Sequence, residues 1–166
     1  MYGDGKTAGH PKDAGAFAGA VMKDLPEARK RFEAALAFLA KQPEADANQL
    51  AAIGYCFGGG IVLQMACDGV PGLKAVASFH GSLGAEVPAG VKPTARVLVC
   101  HGADDTFVTP EAIQAFKDRM KAAGVKMTFI SYPGAKHGFT NPDATKKAEE
   151  FGLNIGYDAK ADKESW

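Results

Sequence analysis

The chain has few of the features that mark nucleic-acid-binding, membrane or secreted proteins. Its 19 basic and 19 acidic side chains cancel, so no net field attracts nucleic acid or an anionic membrane surface. No apolar run approaches the ~20 residues that span a bilayer. The start of the chain, with Gly3, Asp4, Gly5 and Lys6, has no signal-peptide core. We therefore expect a cytoplasmic protein with neither a nucleic-acid nor a membrane partner.

Cysteine is also scarce. Cys56, Cys67 and Cys100 are odd in number and form no CxxC pair, which excludes a disulfide framework and gives no spacing for a zinc site. Cys67 and Cys100 lie in apolar runs and are predicted to pack in the core. We predict no metal and no cofactor.

The remaining composition, 46% hydrophobic and 23% charged, is that of one globular domain with a real core. Strand-like and helix-like segments alternate, which predicts an α/β domain with a mainly parallel sheet flanked by helices. The start over residues 1–12 is predicted to be a loop, and the tail from Phe151 to Trp166 has no clear pattern. Strands are expected at Leu50 to Tyr55, Leu73 to His80, Arg96 to His101 and Val125 to Ser131, and helices near residues 25–42, 57–68 and 110–123.

Cys56 has unusual neighbours. It lies in Ile53, Gly54, Tyr55, Cys56, Phe57, Gly58, where a strand-like run meets a glycine cluster and then an apolar helix-like run. This is the pattern of a nucleophile elbow with cysteine in place of serine. The start of the helix also favours a thiolate. The alternative for an isolated cysteine is a small apolar packing residue.

A cysteine nucleophile needs a base and a carboxylate that orients the base. Asp104 and Asp105 follow the third predicted strand, where active-site loops of parallel sheets lie, and local chemistry does not separate them. His137 follows the fourth strand between flexible glycine-containing segments. The order nucleophile, acid, histidine is that of the α/β-hydrolase fold.

Four segments together resemble the dienelactone hydrolase (carboxymethylenebutenolidase-like) family of α/β-hydrolases. They are Tyr2 to Ala8, the Gly54 to Gly60 elbow, His101 to Val108, and Lys136 to Phe139. The family's HGxxDxxV signature assigns the catalytic acid to the aspartate that matches Asp105. The resemblance thus implies a Cys56, His137, Asp105 triad that opens an enol lactone or a related small ester through an acyl-enzyme.

Two further site residues are predicted. The Phe57 N–H directly follows the nucleophile and is the expected first oxyanion donor. His80 ends a strand near the expected crevice and could contact substrate, although a packed or solvated histidine is the alternative. The second oxyanion donor in this fold comes from a loop after an early strand, and no strand is expected before Leu50.

The resemblance also implies that the chain is N-terminally incomplete and ends before a last helix that relatives pack on the sheet. Two alternatives to a small-ester or lactone hydrolase therefore stay open. One is a broader carboxylesterase or thioesterase with the same triad, because pocket loops set substrate choice. The other is a noncatalytic remnant whose uncovered sheet edge pairs with a second copy of the chain.

Overall fold

The computed structural model describes residues 2–166. The chain consists of two compact units, Met1–Leu50 and Ala51–Trp166. The first unit contains the helices α1 (Pro11–Lys23) and α2 (Leu25–Leu39). Asp24 lies between them, ending α1 and capping α2 with its side chain, which accepts a hydrogen bond from the Glu27 N–H.

The prediction of a loop over residues 1–12 is wrong for its last two residues, because α1 begins at Pro11. Proline suits a first helical turn, and the His10 side chain caps the helix by accepting a hydrogen bond from the Lys12 N–H. Helix α1 escaped prediction because small residues dominate it and only Val21 is buried. Met1 lies outside the described residues.

The second unit is built on a four-stranded parallel sheet in the order β1-β2-β3-β4. The strands are β1 (Leu50–Tyr55), β2 (Leu73–Phe79), β3 (Arg96–Gly102) and β4 (Met127–Tyr132). Central strand β3 pairs with both neighbours, with Val97 opposite Val76 and Met127. The predicted α/β class with flanking helices is confirmed.

Strand β4 starts two residues later than expected. The Val125 N–H still bonds the Met120 carbonyl at the end of the preceding helix, and only the carbonyl of Lys126 reaches β3. The expected strand from Leu73 to His80 ends one residue early, because His80 leaves the extended region with φ +40°.

Four helices accompany the sheet: α3 (Phe57–Cys67), α4 (Pro110–Ala122), α5 (Ala144–Phe151) and α6 (Ala159–Ser165). Helix α3 is buried along most of its length, including Cys67. Helix α4 is amphipathic: Thr109 caps it as predicted, and Phe116 and Met120 are fully buried. Helices α5 and α6 were not predicted, because both are short and polar and have almost no large apolar residue.

Strands β1 and β4 are the two edges of the sheet. On β1, the side chain of Ile53 is 55% exposed. The unpaired backbone groups of an edge strand can pair with another chain. Self-association through this edge stays a prediction. Across residues 2–166, no helix combines the length and the apolar content needed to cross a membrane.

Candidate functional site

Cys56 occupies the turn between β1 and α3. Its backbone has φ +53° and ψ −120°, a conformation rare for a side-chain-bearing residue. The turn is tight, since a Cβ on Gly54 would lie 2.7 Å from the Gly59 nitrogen. The strained turn leaves Cys56 exposed, whereas Cys67 and Cys100 are buried as predicted. The strand, turn and helix geometry expected of a nucleophile elbow is therefore present.

In the loop after β3, the two candidate aspartates have different environments. Asp104 is exposed, whereas the Asp105 carboxylate is fully buried. One oxygen of Asp105 accepts a hydrogen bond from the Phe107 N–H at 2.9 Å. The other lies 2.9 Å from His137 Nδ1. Only Asp105 is thus in position to orient the imidazole.

His137 connects the other two groups. Its Nε2 lies 3.1 Å from Cys56 Sγ, so that Cys56, His137 and Asp105 form one continuous hydrogen-bonded chain. The loop is held by the Gly156 N–H, which donates to the His137 carbonyl at 3.1 Å. The ring of Phe107 meets the imidazole edge-on at 4.8 Å between centroids. Loops that follow three different strands meet at this point.

The surroundings of these three groups favour their charged forms. Although Cys56 as a residue is exposed, the protein around its sulfur removes part of the solvent and thereby raises the pKa of the thiol; the hydrogen bond and charge of His137 and the Phe57 N–H outweigh this effect, and the net pKa is lowered. Burial lowers the pKa of His137, yet its bonds to Asp105 and Cys56 raise it to about 9. Burial also opposes ionisation of Asp105, but His137 and the Phe107 N–H keep its pKa below the ordinary value. These contacts favour the ionised form of all three groups, which are a Cys56 thiolate, a His137 imidazolium and a buried Asp105 carboxylate.

A cavity of about 610 Å³ opens beside Cys56 and His137. His80 lines it and is 4% exposed, with its Nε2 2.9 Å from Thr140 Oγ1. Burial, followed by the nearby charge of His137, lowers the pKa of His80 to about 4, so this ring is neutral at neutral pH. His80 is thus a packed, hydrogen-bonded histidine at the wall of the cavity, and its contact with substrate stays a prediction.

Several cavity residues had no sequence signal. Tyr55 was noted only as part of the elbow, while Asp162 and Trp166 come from the tail that had no clear pattern. Helix α6 brings that tail to the sheet by burying Ala161 in a cluster with Phe79 and other core residues. Outside the cavity lining, the hydrogen bond from the Phe107 N–H to Asp105 could have been predicted from the sequence, because an aspartate that accepts the N–H two residues later is a common turn motif.

Phe57 begins α3, and its N–H is directed at the Cys56 sulfur. The second oxyanion donor of this fold comes from a loop after an early strand. Between Tyr2 and Gln49 the structure contains helices and no strand, so this range has no such loop. Within the described part of the chain, no group of three or more His, Cys, Asp or Glu side chains is placed to hold a metal ion.

Comparison with known proteins agrees with this architecture. The structure superposes with a TM-score of 0.85 on a dienelactone hydrolase-like promiscuous phosphotriesterase from metagenomic libraries, at 34% identity over 99% of this chain and 67% of that one. A structure called m3DLH gives 0.88 at 36% identity, with the same coverage of both chains. The chain is also 36% identical over 140 residues to an uncharacterized Caenorhabditis elegans protein, covering 83% of this chain and 87% of that one.

Other curated relatives are longer. A Salmonella typhimurium protein called "Putative carboxymethylenebutenolidase" is 28% identical over 130 residues, which are 73% of this chain but 44% of the relative. The sequence model of the dienelactone hydrolase family matches residues 1–166. The chain belongs to the dienelactone hydrolase family, a group of hydrolases with the α/β-hydrolase fold.

Proposed function

We propose that the protein hydrolyses small esters or enol lactones with Cys56 as nucleophile, His137 as general base and acid, and Asp105 as the group that orients His137. The observation that carries the proposal is the unbroken chain from Cys56 Sγ through both nitrogens of His137 to Asp105, with links of 3.1 and 2.9 Å. Nucleophile and base within hydrogen-bond reach, with the base held by a third group, is the arrangement of covalent acyl transfer.

In the first half of the reaction, the Cys56 thiolate attacks the ester carbonyl and forms a C–S bond. The carbonyl π electrons move onto oxygen and return as the C–O bond to the alcohol breaks. The imidazolium of His137 donates its Nε2 proton to the departing alkoxide. For a lactone the alcohol stays attached, and the product is a ring-opened thioester of Cys56.

In the second half, neutral His137 removes a proton from water, and the resulting hydroxide attacks the thioester carbonyl. The C–S bond breaks, the acid product leaves, and the thiolate and imidazolium pair is restored. Asp105 remains a carboxylate throughout and stabilises the positive charge on His137. Its full burial strengthens this interaction, because the local dielectric is low.

The Phe57 N–H supplies the first oxyanion donor in this scheme. It already points at the sulfur, next to the place where the carbonyl oxygen would lie during attack. Removing one such donor typically costs about 10²- to 10³-fold in rate. A backbone amide cannot be removed by a simple side-chain substitution, so its contribution is best read from binding of a transition-state analogue such as a boronic acid.

A neutral aryl phosphotriester is a second candidate substrate class. The name of the metagenomic relative, which is 34% identical, favours it. The Cys56 thiolate would attack phosphorus, the aryloxide would leave, and water would then cleave the P–S bond. Diethyl para-nitrophenyl phosphate tests this class with the same coloured product as the ester assay.

The proposal is tested by the hydrolysis of para-nitrophenyl butyrate by the purified 166-residue chain and its Cys56→Ser, Cys56→Ala and His137→Ala variants. We expect a nitrophenolate burst followed by turnover in the unmodified chain, with a covalent butyryl group on Cys56 detectable by mass spectrometry. Cys67→Ala is the matched control, since that thiol is buried. Activity that survives Cys56→Ala would eliminate the proposed nucleophile.

A further inference from the structure

His80 follows the last residue of β2, where the sheet meets the turn that carries Cys56. Its N–H donates to the Cys100 carbonyl at 2.8 Å, and the carbonyl of the preceding Phe79 accepts the Cys56 N–H at 3.0 Å. The φ of His80 is +40°, a left-handed conformation that is strained for a residue with a side chain. Such strain persists where the surrounding structure enforces it, and it clusters at functional sites. The backbone therefore fixes the position of the His80 ring relative to Cys56.

The side chain of His80 packs against the loop that carries His137. Its Nε2 lies 2.9 Å from Thr140 Oγ1. Its ring meets the rings of Phe139 and His137 edge-on, at 5.4 and 5.0 Å between centroids. His80 thus contacts both the His137 imidazole and the segment that directly follows it.

A second ring contacts the same imidazole from a different part of the fold. Phe107, in the loop after β3, meets the His137 ring edge-on at 4.8 Å between centroids. Edge-to-face contact is one of the preferred arrangements of ring pairs, so rotation of one ring away from it costs free energy. Phe107 and His80 therefore restrict the rotation of the His137 ring in addition to its hydrogen bonds.

These ring contacts matter most once Cys56 carries an acyl group. In the free protein His137 is held at both nitrogens, by Asp105 at 2.9 Å and by Cys56 Sγ at 3.1 Å. In a thioester the sulfur is uncharged and bonded to the acyl carbon, which makes it a weak hydrogen-bond acceptor. The bond to Asp105 then fixes Nδ1 but leaves the direction of Nε2 less restricted. Nε2 is the atom that must face the attacking water.

We propose that His80 is a positioning residue for His137, which keeps Nε2 directed at the attacking water after Cys56 has been acylated. The inference rests on the proposed acyl-enzyme mechanism, and it gives His80 a role that is independent of contact with substrate. Loss of the His80 ring should slow deacylation and leave attack by Cys56 nearly unchanged. The ring is suited to this role because it is neutral: burial, followed by the charge of His137, lowers the pKa of His80 to about 4.

Decay of the acyl-enzyme measures this step directly. Para-nitrophenyl butyrate acylates Cys56 with release of nitrophenolate, a leaving group that needs little protonation by His137. After the excess ester is removed, mass spectrometry follows the loss of the butyryl group. We expect His80→Ala to slow this decay about 5- to 50-fold, because a ring contact and a hydrogen bond are each worth about 2- to 10-fold. The rate of nitrophenolate release in the acylation step should change little.

Three further variants separate positioning from substrate contact. Thr140→Val removes the hydrogen bond that orients the His80 ring and should slow the decay about 2- to 10-fold. His80→Phe places a ring against His137 again and should recover part of the rate lost in His80→Ala. Thr128→Val makes the same change as Thr140→Val on an exposed residue of β4 and should match the unmodified chain. Unchanged decay in His80→Ala and Thr140→Val would overturn the inference, and slower acylation with unchanged decay would make His80 a substrate contact instead.

A second measurement needs no ester turnover. Cys56 is alkylated with iodoacetamide, so that its substituted sulfur stands in for the acylated state, and NMR of the ring nitrogens reports the tautomer of neutral His137. We expect the proton on Nδ1, facing Asp105, in the unmodified chain and a mixture of tautomers in His80→Ala and Thr140→Val. Identical His137 signals in all of these proteins would refute the positioning role. The expected change in the signals without any ester turnover would refute only the proposed catalysis.

Discussion

Replacement of Asp105 by asparagine isolates the electrostatic role of the buried carboxylate. The pKa of His137 is about 9 against an ordinary 6.5, although burial alone lowers it. Among the influences that raise it, the hydrogen bond that His137 donates to Asp105 is the largest. In Asp105→Asn the hydrogen bond and charge of Cys56 remain, and we expect the pKa of His137 to fall from about 9 in the direction of its ordinary 6.5. A complete fall from 9 to 6.5 would correspond to about 3 kcal/mol of lost imidazolium stabilisation, which is the upper bound for this substitution.

That bound predicts a decrease in kcat/KM of up to about 10²-fold for a neutral ester, since each 1.36 kcal/mol is tenfold in rate. The pH profile should move as well. A group whose folded pKa is raised stays charged up to that pKa, so the imidazolium of the unmodified chain is lost only as pH rises through about 9. Its kcat/KM should therefore fall on the alkaline side near pH 9, and this limb should shift to lower pH in Asp105→Asn.

The assay is the pH dependence of para-nitrophenyl butyrate hydrolysis, paired with alkylation of Cys56 by iodoacetamide, which reports the thiolate without requiring turnover. The control is Asp104→Asn, the same change one residue away on an exposed side chain, and it should match the unmodified chain. Thermal unfolding verifies that both variants fold. If Asp105→Asn and Asp104→Asn show the same rates and the same alkaline limb, the proposed role of Asp105 is wrong.

Three further outcomes are expected. A thiol reagent should modify Cys56 alone in the native protein, and Cys67 and Cys100 only after addition of urea, since both are buried; native labelling of all three would contradict the packing. Met120→Ala should lower the free energy of unfolding by about 2 to 5 kcal/mol in urea titrations, because Met120 is fully buried; a change below about 1 kcal/mol would refute this. Gly54→Ala should abolish ester hydrolysis through the 2.7 Å clash with backbone, and normal activity would mean that the elbow can relax.

Local sequence patterns predicted most of the parallel sheet. Leu50–Tyr55 forms the expected strand because a short apolar run ends at a glycine-rich turn, a signal read within a few residues. Helix α4 was predicted for the same kind of reason, with Thr109 as cap and Phe116 and Met120 on one face. Helices α1, α5 and α6 escaped because they are short or contain few large apolar residues, and contacts distant in sequence stabilise such helices more than local propensity does.

The sequence by itself determined which groups could take part in chemistry: a cysteine in an elbow, two adjacent aspartates and a histidine, each after its own strand. That order was enough to predict their meeting, because the carboxyl ends of parallel strands lie at one edge of a sheet. Only the tertiary structure distinguished Asp105 from Asp104, because the two differ in burial and in the 2.9 Å contact of Asp105 with His137, which lies 32 positions away in the sequence. It alone also brought Asp162 and Trp166 into the lining of the cavity that holds Cys56, because the packing of α6 on the sheet, and no local motif, places them there.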